Sequence, residues 1–337
     1  MNRPLNKTGI IGAGSWGTTL ANLLAEKGFE VTLWVYEKEL LEILITGRCN
    51  TYYLPDVELE PEIKYTHKIE EAVSNKQIVL WVTPVNAFRK LFSEGLPFSG
   101  SETIHVSASK GIENYTLKTV SQIAEEKSQG FKDKKFVVIS GPSFAKEVNR
   151  KMPTAVVVAS KDRESASVVQ KTMATPYFRT YTSDEILGVE LGGALKNVIA
   201  IAAGVSEGLG YGHNTRAALI TRGLAEIIRL GSFLGADPRT FAGLSGMGDL
   251  VLTCTSKLSR NYSVGVKIGR GKRLEEILKN MKMVAEGVYT TKSAFSLSSK
   301  NNVEMPIVHE IYKVLFENKP PLQAVKDLMG RELKKEV

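Results

Sequence analysis

The chain runs to 337 residues with a net charge of +8; 43% of it is hydrophobic and 24% is charged. One ordinary core does not absorb that length, so two domains are expected. No apolar run reaches 18 residues and the leading MNRPLNKTG has no apolar core, which argues against a membrane span and a signal peptide.

The two cysteines, Cys49 and Cys254, lie far apart, and the four histidines (His67, His105, His213, His309) show no ligand spacing. Neither a disulfide framework nor a metal site is expected, and the usage fits a reducing cytoplasm. Lysines and arginines are dispersed, with no basic run interleaved with aromatics, which argues against nucleic acid. Part of the positive charge suits a basic site for a small anion.

Thr8 to Ile11 reads as a short apolar strand that runs straight into Gly12-Ala13-Gly14-Ser15-Trp16-Gly17. A helical pattern, TTLANLLAEKG, follows; Gly28 ends it and EVTLWV forms a second strand. In that context each glycine of G-x-G-x-x-G has a task. Gly12 makes the tight turn, Gly14 lets the backbone approach a pyrophosphate, and Gly17 lets the helix lie close on the strand. The helix N-terminus then offers N–H groups to phosphate. An acid near the end of the second strand would bind the adenosine ribose and disfavour a 2′-phosphate. Glu37, 20 residues beyond Gly17, suits that place; Tyr36 could cover an adenine face, Lys38 is adjacent, and no arginine stands there. NAD is favoured and NADP stays open.

Further strands are expected at Ile78 to Val82, Thr103 to Val106, Phe136 to Ile139 and Thr154 to Val158, with helical patterns between most of them. The alternation implies an α/β fold, a doubly wound Rossmann-type parallel sheet over residues 1–184. Ligands sit beyond the carboxyl ends of such strands. Thr83-Pro84-Val85-Asn86, Ser107 to Gly111 and Ser140 to Ser143 fall there, which makes Lys110 a pocket candidate.

No convincing strand follows residue 184. Helices are expected at 189–204, 215–234, 273–281, 285–299, 306–317 and 321–329, an all-helical second domain over 185–337. Asn214 can cap the second and Gly235 can close it; Asp237-Pro238 and Met305-Pro306 look like helix starts. Asp249, among glycines and four residues before Thr253, can share a face with it, though an N-cap role suits Asp249 equally. Ser259-Arg260-Asn261 pairs a guanidinium with an amide, which suits phosphate or carboxylate; a surface role for Arg260 is the plainer alternative.

The first of these helices, VELGGALKNVIAIAA, is apolar or small nearly all round. At about 100° per residue Leu191, Ala194, Leu195, Val198 and Ala202 share one face, and Gly192, Gly193, Ala200 and Ala203 the other. Lys196 lies on the small-residue face with Asn197 beside it. Lysine is rarely buried unless paired. Either its stem reaches the surface, or it faces a polar ligand.

GAGSWGTTLA, SASKGIE, ISGPSFAKEV, LGGALKNVIAIAAG, LSGMGDLVLTC and SRNYSVG, in this order over roughly residues 8 to 330, resemble the successive motifs of the bacterial NAD(P)-dependent glycerol-3-phosphate dehydrogenase family. That family interconverts sn-glycerol 3-phosphate and dihydroxyacetone phosphate and supplies phospholipid synthesis. The resemblance implies cofactor contacts from Gly12, Gly14, Ser15, Trp16, Gly17, Lys110, Ala145, Arg260, Val284 and Glu286, with Tyr36 and Tyr53 completing the set. It implies a substrate site of Lys110, Gly141, Ser143, Lys196, Asp249, Ser259, Arg260 and Asn261. Lys196 is the implied proton acceptor, with Lys110, Asn197, Asp249 and Thr253 beside it in the catalytic set. Members usually carry Arg or His near position 36 and Ser where this chain has Val85; Tyr36 unsettles an NADP preference, and the Val85 loop should contact cofactor through its backbone.

The expected protein is therefore a cytoplasmic oxidoreductase with NAD or NADP and a small phosphate substrate, without integral membrane contact. Its apolar helices could pair in a homodimer. Two rivals stay open: a related two-domain dehydrogenase acting on a 3-hydroxy acid or ketopantoate, and a non-catalytic NAD(H)-binding sensor.

Overall fold

The computed structural model describes residues 6–128, 135–281, 285–333, 335 and 336. The chain divides into two compact units, Met1–Lys110 with Lys118–Glu190, and Gly111–Leu117 with Leu191–Val337. The division falls inside one long helix, and the short segment 111–117 belongs with the second unit.

The first unit is built on the strands β1 (Lys7–Ile11), β2 (Glu30–Trp34), β3 (Cys49–Asn50), β4 (Leu54–Glu58), β5 (Lys64–Thr66), β6 (Ile78–Trp81), β7 (Ile104–Ser107), β8 (Phe136–Ser140), β9 (Thr154–Ala159) and β10 (Phe178–Ser183). Its helices are α1 (Ser15–Glu26), α2 (Lys38–Gly47), α3 (Ile69–Val73), α4 (Val85–Gly95), α5 (Val120–Lys127), α6 (Ala145–Asn149) and α7 (Arg163–Met173). Eight strands form one sheet in the order β10-β9-β8-β7-β6-β1-β2-β5, and β3 and β4 make a separate hairpin. Ile10, Leu33, Leu80, Val106 and Ile139 pack on one face against Leu20 and Leu24 of α1 and Val169 of α7. Ile11, Val79 and Trp81 pack on the other against Phe88 and Phe92 of α4 and Ile123 of α5. Covering both faces accounts for the continuous apolar runs that mark these strands.

The sheet departs from the all-parallel expectation at one seam: β9 runs antiparallel to β8, and β10 follows β9 in parallel. A parallel return needs a crossover of about a dozen residues or more, usually carrying a full helix. The link from β8 to β9 holds only the five-residue α6, so the chain re-enters from the same end. β10 escapes the sequence reading because FRTYTS alternates buried and exposed residues at the sheet edge, with few apolar side chains.

The second unit is helical, as expected. α8 (Ile186–Gly208) extends the expected helix at both ends; Glu185 accepts the Gly188 N–H at 2.9 Å and holds its first turn. Then come α9 (His213–Phe233), α10 (Asp249–Thr255), α11 (Arg260–Gly269), α12 (Leu274–Lys279), α13 (Glu286–Lys300), α14 (Pro306–Phe316) and α15 (Pro321–Met329). A 3₁₀ turn at Pro238–Ala242 and a π turn at Leu244–Gly248 separate α9 from α10. Asn214 does not cap α9: Gly212 precedes the helix with no side-chain cap, and Asn214 falls in the first turn. The Asp237-Pro238 start is a true one, with Asp237 accepting the Arg239 N–H.

By length and composition α8 could cross a membrane, but 89% of its most apolar window is buried within the protein. Close packing on α11 buries it. A side chain at Gly204 would come within 2.1 Å of the Tyr262 carbonyl oxygen, and one at Gly265 within 2.1 Å of that of Ile201. Only glycine permits the two backbones to approach that far.

One buried polar link in the first unit has a pH signature. Trp81 Nε1 donates to His105 Nδ1 at 3.1 Å, so the imidazole proton sits on Nε2, which faces Ser99 Oγ at 3.0 Å. Burial pushes the His105 pKa down to about 4. Above the unfolded value of about 6.5 both states are neutral. Between there and about 4 the unfolded chain binds the proton and the native one resists it, so stability falls with pH, by roughly 3 kcal/mol in full. Urea unfolding at pH 7.5 and 5 should show this loss, and His105→Asn should remove most of that pH-dependent difference.

Candidate functional site

In the first unit β1 delivers the chain into the glycine loop. Gly12 has φ +115°, and a side chain there would meet the Val82 carbonyl oxygen at 2.5 Å. One at Gly17 would meet the Gly12 carbonyl oxygen at 1.9 Å, whereas one at Gly14 would meet nothing within 4 Å. So Gly12 and Gly17 close the loop on itself and on β6, and Gly14 borders open space. No described side chain caps α1, whose first-turn N–H groups have no carbonyl partner within the helix. This loop lies at the reversal of strand order, between β6 and β2, where dinucleotides bind in such sheets.

The loop is braced from the β3–β4 turn. Asn50 Nδ2 donates to the Ala13 carbonyl and to Thr18 Oγ1, both at 2.8 Å, and Asn50 Oδ1 accepts the Tyr53 N–H at 3.0 Å. Ser15 Oγ donates to the Tyr53 carbonyl at 2.7 Å. Tyr53 Oη in turn donates to Glu37 at 2.5 Å. Trp16 is half-buried, its ring tilted against Phe178 at 6.3 Å; Tyr36 is 70% exposed beside Trp34.

The neighbouring strand ends converge as their positions suggested. Ser109 Oγ accepts the Thr83 N–H at 3.2 Å; Lys110 Nζ donates to the Gly141 carbonyl at 3.1 Å, and Ser143 Oγ donates to the same oxygen at 3.0 Å. Ala145 opens α6. Two buried hydroxyls here, Thr83 Oγ1 and Ser140 Oγ, have no partner among the described residues. Open space at Gly14, an uncapped helix and an unsatisfied hydroxyl beside the loop together fit a bound dinucleotide.

In the second unit Lys196, only 7% exposed, donates to Asp249 Oδ1 at 2.7 Å and to Thr253 Oγ1 at 2.8 Å. Thr253 spends its own proton on the Asp249 carbonyl at 2.6 Å. Asp249 is therefore not an N-cap; Gly248 holds that place, and Asp249 is the first residue of α10. The π turn before it packs hard on α8, since a side chain at Gly192 would lie 2.6 Å from the Ser245 carbonyl oxygen. The small-residue face of α8 thus admits a protein segment that carries the counter-ion to Lys196.

Asn197 Oδ1 accepts from Asn261 Nδ2 at 2.9 Å, and Asn261 Oδ1 accepts the Gly287 N–H at 3.0 Å, tying α8, α11 and α13 together. Ser259 caps α11 by accepting the Tyr262 N–H at 3.2 Å. Arg260, the first residue of α11, is exposed, yet enough protein surrounds its guanidinium to lower its pKa, against the pull of Glu286. Burial pushes the Glu286 carboxyl up to about 7, and Arg260 opposes that. Cys254 beside Lys196 is buried, and burial pushes its thiol up to about 12. Val284 lies outside the described residues.

Helical spacing put Asp249 and Thr253 on one face and the family resemblance set both beside Lys196, where the structure has them; Asn50 and the Thr83 hydroxyl were missed. Asn50 sits in an irregular stretch with no motif. Thr83 was marked only by its place after an apolar strand.

Residues 7–166 match the family model for the NAD-dependent glycerol-3-phosphate dehydrogenase N-terminus, and residues 185–326 that for its C-terminus. A glycerol-3-phosphate dehydrogenase [NAD(P)+] of Geobacter metallireducens is 56% identical over 330 residues, 98% of either chain. The crystal structure of a glycerol-3-phosphate dehydrogenase from Coxiella burnetii superposes with a TM-score of 0.93 at 36% identity, covering 97% of this chain and 100% of that one. A ketopantoate reductase structure from Ralstonia eutropha shares the fold, with a TM-score of 0.59 at 14% identity over 95% of this chain and 99% of its own.

The unpartnered Thr83 hydroxyl costs stability while nothing meets it, about 1 kcal/mol or more. Thr83→Val should therefore raise the melting temperature of the nucleotide-free protein by roughly 2–4 °C and weaken NADH binding. A fall in melting temperature would show the hydroxyl to be paired within the protein.

Proposed function

The chain belongs to the NAD-dependent glycerol-3-phosphate dehydrogenase family, and from that premise we propose that it interconverts sn-glycerol 3-phosphate and dihydroxyacetone phosphate, supplying glycerol 3-phosphate for phospholipid synthesis. The observation that carries this reading is the buried Lys196 ammonium held on Asp249 at 2.7 Å. A bound NAD or NADP would supply the hydride to C2 of the substrate in reduction and accept it in oxidation.

Lys196 supplies the proton chemistry. A carboxylate in contact favours the charged lysine, whereas burial alone would favour the neutral one. An ammonium on Asp249 is the form needed in reduction: it polarises the ketone and gives its proton to the C2 oxygen. In oxidation Lys196 takes the proton back from the hydroxyl. Thr253 fixes the lysine by accepting from its Nζ, and Asn197 fixes Asn261 by accepting from its Nδ2. The Arg260 guanidinium, at the capped start of α11, is suited to hold the substrate phosphate together with helix N–H groups. In the first unit the Gly12 to Gly17 loop and the start of α1 hold the cofactor pyrophosphate, and Lys110 is fixed on Gly141 at the end of β8.

The free cysteines support a reducing, cytoplasmic setting. Self-association through the apolar helices of the second unit, with Phe233 57% exposed, belongs to the same reading. A keto-acid dehydrogenase shares the fold, but the segments GGALKNV and SRN resemble those of the phosphate-acting family. A sensor would have no use for a buried ammonium.

Lys196→Met should cut turnover of dihydroxyacetone phosphate by orders of magnitude while NADH still binds. It also strands the Asp249 charge, at a cost of about 3–5 kcal/mol, so the double variant with Asp249→Leu is the control. That variant should regain much of the lost melting temperature and none of the turnover; near-normal turnover in either would refute the assignment. For Arg260→Ala, KM for dihydroxyacetone phosphate should rise tenfold or more, since about 1.5–3 kcal/mol attaches to such a charged hydrogen bond. A ketone without phosphate should be little affected, and an equal loss on both substrates would exclude a phosphate clamp.

A further inference from the structure

We propose that the turn Asn50 to Tyr53 makes the nucleotide site selective for NAD(H) over NADP(H), with Tyr53 a positioning residue that presents the Glu37 carboxylate to the adenosine ribose. This rests on the reading of the Gly12 to Gly17 loop as the nucleotide site and adds which nucleotide it takes.

Glu37 follows β2 as the N-cap residue of α2, with extended backbone, φ −81° and ψ 122°, and its side chain makes no cap bond to its own helix. The carboxylate is instead held from outside. Tyr53 Oη donates to Oε1 at 2.5 Å. Burial, with help from Glu37, pushes the Tyr53 phenol up to about 12, so Tyr53 remains a donor across the working range. Oε2 is left to accept a ribose hydroxyl. A diol satisfies that acceptor. A 2′-phosphate brings roughly two further negative charges and no proton to give, and it meets a carboxylate that Tyr53 prevents from swinging away.

Tyr53 is itself tied to the phosphate-binding loop. Its carbonyl accepts from Ser15 Oγ at 2.7 Å, and its N–H binds Asn50, which also holds the Ala13 carbonyl. The ribose-reading acid and the pyrophosphate cradle are thereby held at one spacing by a single turn. The cation next along, Lys38, is an exposed residue in the first turn of α2. It lacks the forked guanidinium with which arginine clamps phosphate.

The test is fluorescence titration of the full chain with NADH and with NADPH, in the absence of any substrate. NADH should bind at least about tenfold tighter, the scale of one hydrogen bond to a charged group. Glu37→Gln should bring the two affinities to within about threefold, chiefly by gaining NADPH. Tyr53→Phe should lose severalfold in NADH affinity and little in NADPH affinity. Equal or tighter NADPH binding by the unmodified protein overturns the proposal. A Tyr53→Phe variant with a lower melting temperature and an unchanged NADH:NADPH ratio overturns the role given to Tyr53. Failure to bind either nucleotide overturns the nucleotide-site reading as well. Selective NADH binding without turnover of dihydroxyacetone phosphate sinks the proposed reaction and upholds the selectivity.

Discussion

The Lys196–Asp249 pair, at 2.7 Å and with side chains 8% and 2% accessible, is the contact on which the second unit turns. Two charges taken out of water lose several kcal/mol each, and their attraction repays this only in good geometry. A pair of apolar side chains of equal volume would hold α8 to α10 at least as well. The pair is therefore poor value as a fastener and good value as chemistry. Its geometry is also expensive in sequence: the π turn, Gly192 against Ser245 and Gly246 against Phe241 are needed to bring Asp249 beneath the lysine. π turns are rare and frequent at functional sites, and this one has an identifiable task.

The first unit solves a different problem by different means. A dinucleotide is large, anionic and shared by many enzymes, and backbone N–H groups at a helix start suffice to hold its phosphates. Side chains are removed rather than added. Gly12 and Gly17 pack the loop down on Val82 and on itself. What side chains contribute is position: Asn50 and Ser15 bond to backbone of the loop and of its brace, and the Tyr53 hydroxyl bonds to the Glu37 carboxylate. Such bonds leave the surface around Gly14 made of main chain, and Glu37 stands apart from it at the edge.

Where the physics was local, the sequence was readable. β1, β2, β6, β7 and β8 are apolar runs bounded by turn residues, and α8 is unmistakable as a buried helix with an ill-placed lysine. Where it depended on distant partners, it was not. The reversal of β9 follows from a link too short for a helical return, and nothing in TAVVVA distinguishes the two directions. β5 is three residues long, and β10 exposes half of its side chains at the sheet edge. α10 and α11 were overlooked because LVLTC reads as an apolar run and because four glycines interrupt the region from Gly243 to Gly265. Two of them, Gly265 and Gly246, serve close approach, to α8 and to Phe241, rather than turns. The lysine and its aspartate were visible as misplaced charges; that they touch was not.

Burial of charge by itself would not have singled out Asp249. Glu190 is as hidden, and burial raises its pKa, yet it accepts the Ser121 N–H at 2.8 Å and serves the start of α5. Glu226, pushed up to about 7 by burial, accepts the N–H groups of Ile307 and Val308 at 2.7 and 3.2 Å and caps α14. Both carboxylates satisfy orphan donors at a helix N-terminus, which every buried helix start requires. Glu310 does meet lysines, but its partners Lys313 and Lys319 are 41% and 15% accessible and belong to the surface. Asp249 differs in what it binds: a buried lysine on a neighbouring helix, its side chain 8% accessible, backed by a hydroxyl whose own proton is already committed. A buried carboxylate that completes a helix needs no further explanation. One that holds a buried lysine has no structural duty that an apolar pair could not perform, and the proton chemistry proposed for Lys196 would account for it.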